Sequence, residues 1–259
     1  MNDLFSVRDK IVLITGSTRG LGYHLAQGFV EAGAIVVVNG TKQDGVDAAT
    51  KKLSGSLSGK HQTCVAGYAF DVTDTKAVTV AIEKIEKEQG PIDVLVNNAG
   101  IHRRKPLEQM SLDDWNAVIT TNLTAAFVTA QAVAKKMIMR GRGAIINITS
   151  LNAEMARPSI GNYCAAKGGL KMLTKSMATE WGKYGIRANA IGPGYFQTEL
   201  TKVLQDDPEF DAWVKREVPL GRWGKPEELA GAAIFLSSEA AAYVNGHTLY
   251  VDGGWQASL

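Results

Sequence analysis

The stretch IVLITGSTRGLG, residues Ile11–Gly22, joins an apolar run to a glycine-rich turn. The run IVLI is apolar throughout rather than at alternate positions, which is typical of a strand buried on both faces of a parallel sheet. Gly16, Gly20 and Gly22 permit a tight turn, a close backbone approach to a ligand and close packing of helix on strand. The next helix would offer free N–H groups and a positive dipole end to a pyrophosphate. The stretch therefore predicts a strand, a phosphate loop and a helix; the alternative is a tight turn without a ligand.

Similar apolar runs recur along the chain, with helical patterns between them. We predict strands over Ile11–Thr15, Ile35–Asn39, Val65–Phe70, Val94–Asn97, Ala144–Thr149, Arg187–Ile191 and Thr248–Val251. Helical patterns include Gly22–Ala32, Thr75–Gln89, Leu112–Met139, Asn162–Trp181 and Pro226–Leu236. This alternation predicts a doubly wound α/β fold with a parallel sheet.

Length and charge limit the function classes. A chain of 259 residues suits one large α/β domain or two small ones, and we predict a single catalytic domain over 1–259. The net charge of +2 gives no reason to expect a nucleic acid or an anionic membrane as partner. No uncharged apolar run approaches the length of a membrane span. Two cysteines, Cys64 and Cys164, and a start without an apolar signal region favour a reducing cytoplasm.

Residues Thr198–Gly224 break the alternation, because they hold two prolines and two tryptophans but no strand pattern. An insertion that begins near the carboxyl edge of the sheet is typical of a lid over a site. We predict such a lid near residues 195–224, called the lid segment below. The alternative is a surface excursion without a function.

Several turn-like segments follow predicted strands, at the edge where open α/β sheets bind ligands. They are the glycine loop, Asn97–Gly100, Ser150 and Gly192–Gly194. Each is compatible with a simple turn, since Asn, Gly and Pro are turn residues. Their position on one shared edge favours a binding site.

Tyr163 and Lys167 are four residues apart, so on a helix they would share one face. A nearby ammonium favours a phenolate, and we expect Lys167 to lower the Tyr163 pKa from its ordinary value of about 10. Ser150, thirteen residues upstream of Tyr163, would hold a substrate oxygen. The trio predicts proton transfer in alcohol–carbonyl chemistry; the alternative is an ordinary helix that happens to carry Tyr and Lys.

The end of the second strand indicates which dinucleotide binds. A carboxylate there would bind the ribose 2′-hydroxyl and repel a 2′-phosphate, but the sequence reads VNGTK from Val38 to Lys42. Arg19 and Lys42 would pair with a 2′-phosphate, so we favour NADP(H) over NAD(H). The alternative is that both cations are simply solvated. Asp71 and Val72, after the third strand, would face the adenine, unless Asp71 only starts the next turn.

These segments together resemble the short-chain dehydrogenase/reductase family over nearly the whole chain. The matching segments are TGSTRGLG (Thr15–Gly22), NNAG (Asn97–Gly100), Asn122, Ser150, YCAAK (Tyr163–Lys167), PGYFQT (Pro193–Thr198) and NGHTLYVDGG (Asn245–Gly254). The resemblance implies a Rossmann-type sheet of seven strands, in the order 3-2-1-4-5-6-7, with helices on both faces. It also implies a homotetramer.

The resemblance assigns roles to the matching residues. Tyr163 would be the general acid and base, Lys167 would also hold the nicotinamide ribose, and Ser150 would orient the reacting oxygen. Asn122 would support Lys167 through a water, unless it only bonds locally within its helix. The implied cofactor-binding residues are Gly16, Ser17, Thr18, Arg19, Gly20, Leu21, Gly22, Asn39, Gly40, Thr41, Lys42, Asp71, Val72, Asn98, Ala99, Gly100, Tyr163, Lys167, Pro193, Gly194, Phe196 and Thr198.

Closer similarity indicates one branch, the gluconate 5-dehydrogenases, which interconvert a sugar acid and its keto acid. It rests on MNDLFS at the start, GPIDVLVNNAGIHRRKP (Gly90–Pro106), PGYFQTELTK (Pro193–Lys202), the segment Trp213–Ser238 and VNGHTLYVDGG (Val244–Gly254). Some relatives have Asn-Asp where this chain has Asn39-Gly40, which supports NADP here.

An anionic substrate also follows from the basic loop after the fourth strand. Arg104 is predicted to bind a carboxylate, since an arginine fork matches that group; the alternative is a solvated basic loop. Asn152 and Glu154 would contact hydroxyls or only shape their loop. His102 is predicted to be a loop residue, and no metal is predicted.

The competing functions are a 3-oxoacyl thioester reductase and a non-catalytic NADP-binding sensor or scaffold.

Overall fold

A computed structural model describes residues 3–55, 65–199 and 201–258. Cys64 and part of the polar segment before the third strand lie outside the described residues. The seven strands are β1 (Ile11–Ile14), β2 (Ile35–Gly40), β3 (Val65–Ala69), β4 (Val94–Asn97), β5 (Gly143–Ile148), β6 (Ile186–Pro193) and β7 (Thr248–Val251). They form one sheet in the order β3-β2-β1-β4-β5-β6-β7, and every pair is parallel. The predicted doubly wound fold and strand order are confirmed.

The helices cover both faces of the sheet. They are α1 (Gly20–Glu31), α2 (Gln43–Gly55), α3 (Thr75–Glu88), α4 (Leu112–Ile119), α5 (Ala125–Arg140), α6 (Gly161–Trp181), α7 (Lys202–Gln205), α8 (Pro208–Glu217) and α9 (Ala230–Ser237). Side chains from α1, α2 and α9 form one core with Val12 and Ile14, while α3, α5 and α6 form the other with Leu13. Because successive strand side chains point to opposite faces, a strand between two cores must be apolar at every position. That is why IVLI does not alternate.

The helical stretch predicted as Leu112–Met139 contains an irregular turn. Its helices α4 and α5 are joined by a π-helical turn over Thr120–Thr124, which includes Asn122. The whole stretch Leu112–Arg140 has 29 residues and a mean hydropathy of 1.4 in its most apolar window. Among the described residues it is the one helix that meets the length and composition of a membrane span, contrary to the sequence expectation. In this fold 44% of that window is buried, with α5 packed in a core.

β6 extends further than predicted. Gly192 and Pro193 were expected to follow the strand, but they pair with Tyr250 and Val251 of β7, whereas pairing with β5 stops at Ile191. A methyl group added at Gly192 would lie 2.3 Å from the Tyr250 ring. The small residue therefore lets β7 lie against the end of β6.

The lid segment closes on itself at its base. Phe196 and Gly224 form a parallel bridge, and the Gly224 N–H donates to the Tyr195 carbonyl at 2.8 Å. Between these ends lie α7 and α8, and the Asp207 carboxylate caps the first turn of α8. The segment begins directly after β6, at the carboxyl edge of the sheet.

Candidate active site

The glycine loop has the backbone geometry that its sequence predicts. Gly16 and Gly20 have φ angles of 62° and 58°, which favour glycine. A Cβ at Gly16 would lie 2.9 Å from the Ala99 Cα, and one at Gly22 would lie 2.4 Å from the Asn98 side-chain nitrogen. The loop therefore packs closely against the end of β4 and leaves the N-terminus of α1 open to a pyrophosphate.

Three polar residues predicted to bind the cofactor point inward and brace this loop. The Asn39 side chain is buried, accepts from the Gly16 N–H at 3.1 Å and donates to the Phe70 carbonyl at 3.1 Å. The Ser17 hydroxyl donates to the Ile14 carbonyl at 2.7 Å, and the Asn98 side chain donates to the Thr15 and Gly16 carbonyls at 2.9 and 3.0 Å. These three side chains therefore hold the glycine loop, residues 15–22, in the shape that would bind a pyrophosphate. This braced loop is called the cradle below.

The residues expected to discriminate the dinucleotide lie at the rim. Arg19 and Lys42 are exposed, as is Thr41, while Thr18 is half-buried. A Cβ at Gly40 would lie 2.6 Å from the Thr18 methyl carbon, so a larger residue there would displace Thr18. Leu21, half-buried, lies in the first turn of α1.

Asp71 starts a turn, which was the alternative interpretation. Its carboxylate accepts from the Thr73 N–H and hydroxyl, both at 2.8 Å. Val72 is buried in the sheet core. The Asp71 carboxylate thus already accepts two hydrogen bonds in the turn that precedes α3.

The proton-transfer trio lies where the carboxyl end of β5 meets the first two turns of α6. Tyr163 and Lys167 are on one face of α6, and the Lys167 Nζ lies 5.7 Å from the centre of the Tyr163 ring. Lys167 is 4% exposed, and its Nζ donates to the Ile148 carbonyl at 2.6 Å. Ser150 lies two residues after β5, and its hydroxyl acts on the Tyr163 phenol by lowering the pKa of that group. The structure therefore brings together all three predicted residues.

The predicted lowering of the Tyr163 pKa is wrong for this structure. Burial raises the pKa of Tyr163, and the Ser150 hydrogen bond and the Arg104 charge offset this only in part. Burial also lowers the pKa of Lys167 to about 8, because the ammonium loses hydration. Loss of hydration outweighs the attraction that the spacing of the two residues suggested, so Tyr163 is a neutral phenol at pH 7.

Asn122 bonds to the chain after β4. Its side chain accepts from the Ile101 N–H at 2.8 Å and donates to the Ile101 carbonyl at 3.0 Å. A Cβ at Gly100 would lie 3.3 Å from the Asn122 side-chain oxygen. The side chain thus holds this loop against the π-helical turn, through a contact 21 residues away in the sequence rather than the bonding within its own helix that was the alternative interpretation.

Two residues near Tyr163 have more specific roles than the sequence indicated. The His102 ring stacks on the Tyr163 ring with centres 3.9 Å apart, although His102 was predicted to be only a loop residue. The buried Asn162 side chain donates to the Arg103 and Asp114 carbonyls at 3.1 and 3.2 Å, and accepts from the Tyr163 N–H at 2.8 Å. The only sequence signal for Asn162 was a polar residue at a helix start.

The predicted substrate residues lie on loops around the trio. Arg104 is exposed, and its positive charge acts on Tyr163. Asn152 is half-buried; its backbone N–H donates to the Ser150 hydroxyl at 3.1 Å, and its side chain donates to the Met155 carbonyl. Glu154 pairs with Lys171 and accepts from the Tyr250 hydroxyl, so it shapes the loop.

The expected nicotinamide cradle lies between β6 and the lid segment. The Gly194 N–H donates to the Val251 carbonyl at 2.9 Å, and the Thr198 hydroxyl is hydrogen-bonded to that of Thr201. Pro193 ends β6, whereas the Phe196 side chain is 4% exposed and packs into the core. The Phe196 ring is therefore not available to a ligand, and its carbonyl accepts from the Thr201 hydroxyl at 2.7 Å.

No group of three or more His, Cys, Asp or Glu side chains placed to hold a metal ion occurs in the described part of the chain.

A family model described as enoyl-(acyl carrier protein) reductase matches residues 16–256. The chain belongs to the short-chain dehydrogenase/reductase family. The resemblance drawn from the motifs is confirmed, and this dehydrogenase/reductase is an oxidoreductase.

The relatives cover nearly the whole dehydrogenase/reductase. It is 49% identical to the gluconate 5-dehydrogenase of Gluconobacter oxydans, over 99% of this chain and 98% of that protein. It is 48% identical to the 2-dehydro-3-deoxy-D-gluconate 5-dehydrogenase of Formosa agariphila, over 99% and 96% of the two chains. The crystal structure of a gluconate 5-dehydrogenase from Burkholderia cenocepacia, in complex with NADP and tartrate, superposes with a TM-score of 0.94 at 46% identity and covers 99% of both chains.

Proposed function

We propose that this enzyme interconverts D-gluconate and 5-keto-D-gluconate with NADP(H). The observation that carries the proposal is the Ser150–Tyr163–Lys167 site with Arg104 beside it, in a chain so similar to gluconate 5-dehydrogenases. A proton-transfer site suits a carbonyl that becomes an alcohol, and a neighbouring guanidinium suits a substrate that carries a carboxylate.

The cradle formed by the glycine loop fits a dinucleotide, because its glycines pack the loop tightly against the end of β4 at the N-terminus of α1, where a pyrophosphate would bind. The nicotinamide supplies the hydride when the cofactor is bound. In the reductive direction, Ser150 orients the carbonyl oxygen and Tyr163 donates its phenolic proton to the developing alkoxide. Lys167, held by the Ile148 carbonyl, supplies positive charge beside the phenol. Because the Asn122 side chain is already bonded to Ile101, we propose that its main-chain carbonyl would hold any relay water.

The raised pKa of Tyr163 has a directional consequence. A neutral phenol is ready to donate a proton, whereas alcohol oxidation needs it as a base. We therefore expect keto-acid reduction to be active at neutral pH and gluconate oxidation to increase towards alkaline pH. Initial rates in both directions between pH 6 and 10 measure this; an oxidation rate independent of pH would contradict it.

We also propose a preference for NADP over NAD. Arg19 and Lys42 are exposed at the cradle rim, and Gly40 supplies no carboxylate to repel a 2′-phosphate. The NADP in the Burkholderia structure is consistent with this preference. Michaelis constants for both cofactors with one substrate test it, and equal values would refute it.

2-Dehydro-3-deoxy-D-gluconate chemistry is a second candidate, because a relative of that name is 48% identical, nearly the same as the first. Both reactions concern carbon 5 of a sugar acid, so the same proton site serves either. Cofactor oxidation should be measured with 5-keto-gluconate, the corresponding deoxy keto acid, and neutral ketones and acetoacetyl thioesters. Good turnover of a thioester beside negligible turnover of both keto acids would replace the sugar-acid proposal with a thioester reductase.

We propose a homotetramer as the working assembly. Exposed apolar side chains on α5 and α6, namely Phe127, Met139 and Met172, support contacts between subunits through these helices. Light scattering at micromolar concentration tests this, and a monomer would contradict it.

A further inference from the structure

Arg157 is a charged side chain that the proton-transfer steps do not use. It lies in the loop between Ser150 and α6, and its guanidinium carbon is 5.0 Å from the Phe210 ring centre and 5.2 Å from that of Trp213. It also lies 5.8 Å from the Tyr195 ring centre, and its Nη1 donates to the Tyr195 hydroxyl. No Asp or Glu of the described ranges forms an ion pair with Arg157. The guanidinium is thus fixed by aromatic rings and not neutralised.

Aromatic rings surround the guanidinium on several sides. Tyr195, Phe210 and Trp213 contact one another with ring centres 5.2 to 5.9 Å apart, and Trp255 packs against two of them. A guanidinium has five N–H donors, and Tyr195 accepts from only one nitrogen here. A guanidinium that is already immobilised loses little conformational entropy when it binds a carboxylate.

Three loops from the carboxyl edge converge near this group. Arg104 follows β4, Arg157 follows β5, and Tyr195 follows β6. Burial raises the pKa of Tyr195, and the charges of Arg157 and Arg104 oppose this effect. The Arg104 charge also lowers the pKa of Tyr163. Because Coulomb interactions weaken with distance, Arg104 lies within electrostatic range of both Tyr163 and Tyr195.

We propose that Arg157 binds the substrate carboxylate together with Arg104 and so makes this site select sugar acids over neutral polyols. The inference rests on the proposed sugar-acid function. A substrate with carbon 5 at Tyr163 extends its carboxylate four carbons away, towards the two guanidiniums. The aromatic rings that hold Arg157 belong largely to the lid segment, so the same contact joins the lid segment to substrate recognition.

The test compares Arg157→Gln with the wild type on 5-keto-gluconate and on its neutral primary amide. Loss of a charge-assisted contact should lower kcat/KM for the keto acid by about ten- to a hundredfold, mostly through KM. For the amide, the loss should be less than about threefold. Arg142→Gln is a matched control, because Arg142 is exposed at the opposite edge of the sheet. It should change neither substrate.

Equal losses for the acid and the amide would overturn the inference, since Arg157 would then only support the aromatic cluster. If Arg157→Gln does not unfold cooperatively, Arg157→Lys replaces it: this variant keeps the charge without the fork, and its loss should be confined to the acid. Tryptophan fluorescence should also be titrated with gluconate and with neutral glucitol, in the presence of NADP. Wild-type inactivity on sugar acids would refute the proposed function, whereas gluconate affinity unchanged by Arg157→Gln would refute the role of Arg157.

Discussion

The cofactor side and the substrate side of this site are built in different ways. On the cofactor side, the contact surface is mainly backbone, shaped by glycines and braced by the inward side chains of Asn39, Ser17 and Asn98. On the proposed substrate side, the binding groups are charged side chains of separate loops, Arg104 after β4 and Arg157 after β5. A backbone cradle fits any chain with the same motif, whereas a set of side chains is specific to its substrate. Fold and cofactor class are thus shared across the family, and we expect the substrate to depend on the side chains of these loops.

The largest expected effect separates chemistry from binding. Tyr163→Phe removes the phenolic hydroxyl, and kcat should fall by about 10²- to 10⁴-fold, the usual contribution of a general acid. NADPH affinity, measured by fluorescence titration, should change little because the cradle is untouched. Wild-type turnover in this variant would contradict the proposed proton transfer.

A second effect concerns Lys167, which lies between the two sides. Its pKa is lowered to about 8 from an ordinary 10.5, so the folded state releases this proton more easily than the unfolded state. This difference lowers the free energy of unfolding by roughly 3 kcal/mol. The destabilisation is complete below pH 8 and decreases as the pH rises to 10.5. Lys167→Met should therefore be more stable than the wild type at pH 7 and lose that advantage by pH 10.

Urea denaturation of both proteins at several pH values measures the difference. Lys175→Met, another lysine of α6 but exposed, is the control and should show no such trend. A stability difference between Lys167→Met and the wild type that does not vary with pH would contradict the assignment.

A third change should damage the cofactor side. Gly22→Ala places a methyl group 2.4 Å from the Asn98 side-chain nitrogen and 2.5 Å from the Gly16 carbonyl oxygen. Overpacking of this kind destabilises by about 1–3 kcal/mol and should raise KM for NADP. The matched control is Gly231→Ala in α9, where the added Cβ meets no atom within 4 Å. Unchanged stability and KM in Gly22→Ala would show that the loop can move freely.

The smallest expected effect concerns the choice of cofactor. Gly40→Asp should lower kcat/KM for NADP about tenfold and improve the use of NAD, because its carboxylate repels a 2′-phosphate. Gly40→Ala isolates the contact with Thr18, whose methyl carbon lies 2.6 Å from the added Cβ. If Gly40→Ala shifts the preference as much as Gly40→Asp, displacement of Thr18 is the cause rather than charge.

Patterns confined to short segments predicted the structure well. The apolar run IVLI and its counterparts gave the parallel sheet, since strands packed on both faces need apolar residues at every position. The spacing of Tyr163 and Lys167 correctly predicted one helix face. By contrast, the sequence left open whether Asp71 faces the adenine or starts a turn; its bonds to Thr73 match the turn, and the adenine contact stays a prediction. The π-helical turn at Asn122 had no sequence signal.

The sequence by itself determined the doubly wound fold, the glycine loop and the Ser150–Tyr163–Lys167 trio, because each depends on local periodicity or on motif spacing. Only the tertiary structure decided the direction of the Tyr163 pKa shift, the loop anchored by Asn162 and the aromatic enclosure of Arg157. Burial is set by every element that packs around a group, and Arg157 becomes a neighbour of Tyr195 and Trp213 only after the loop before α6 meets the lid segment. Desolvation and contacts between distant loops have no signature in any single segment of the chain.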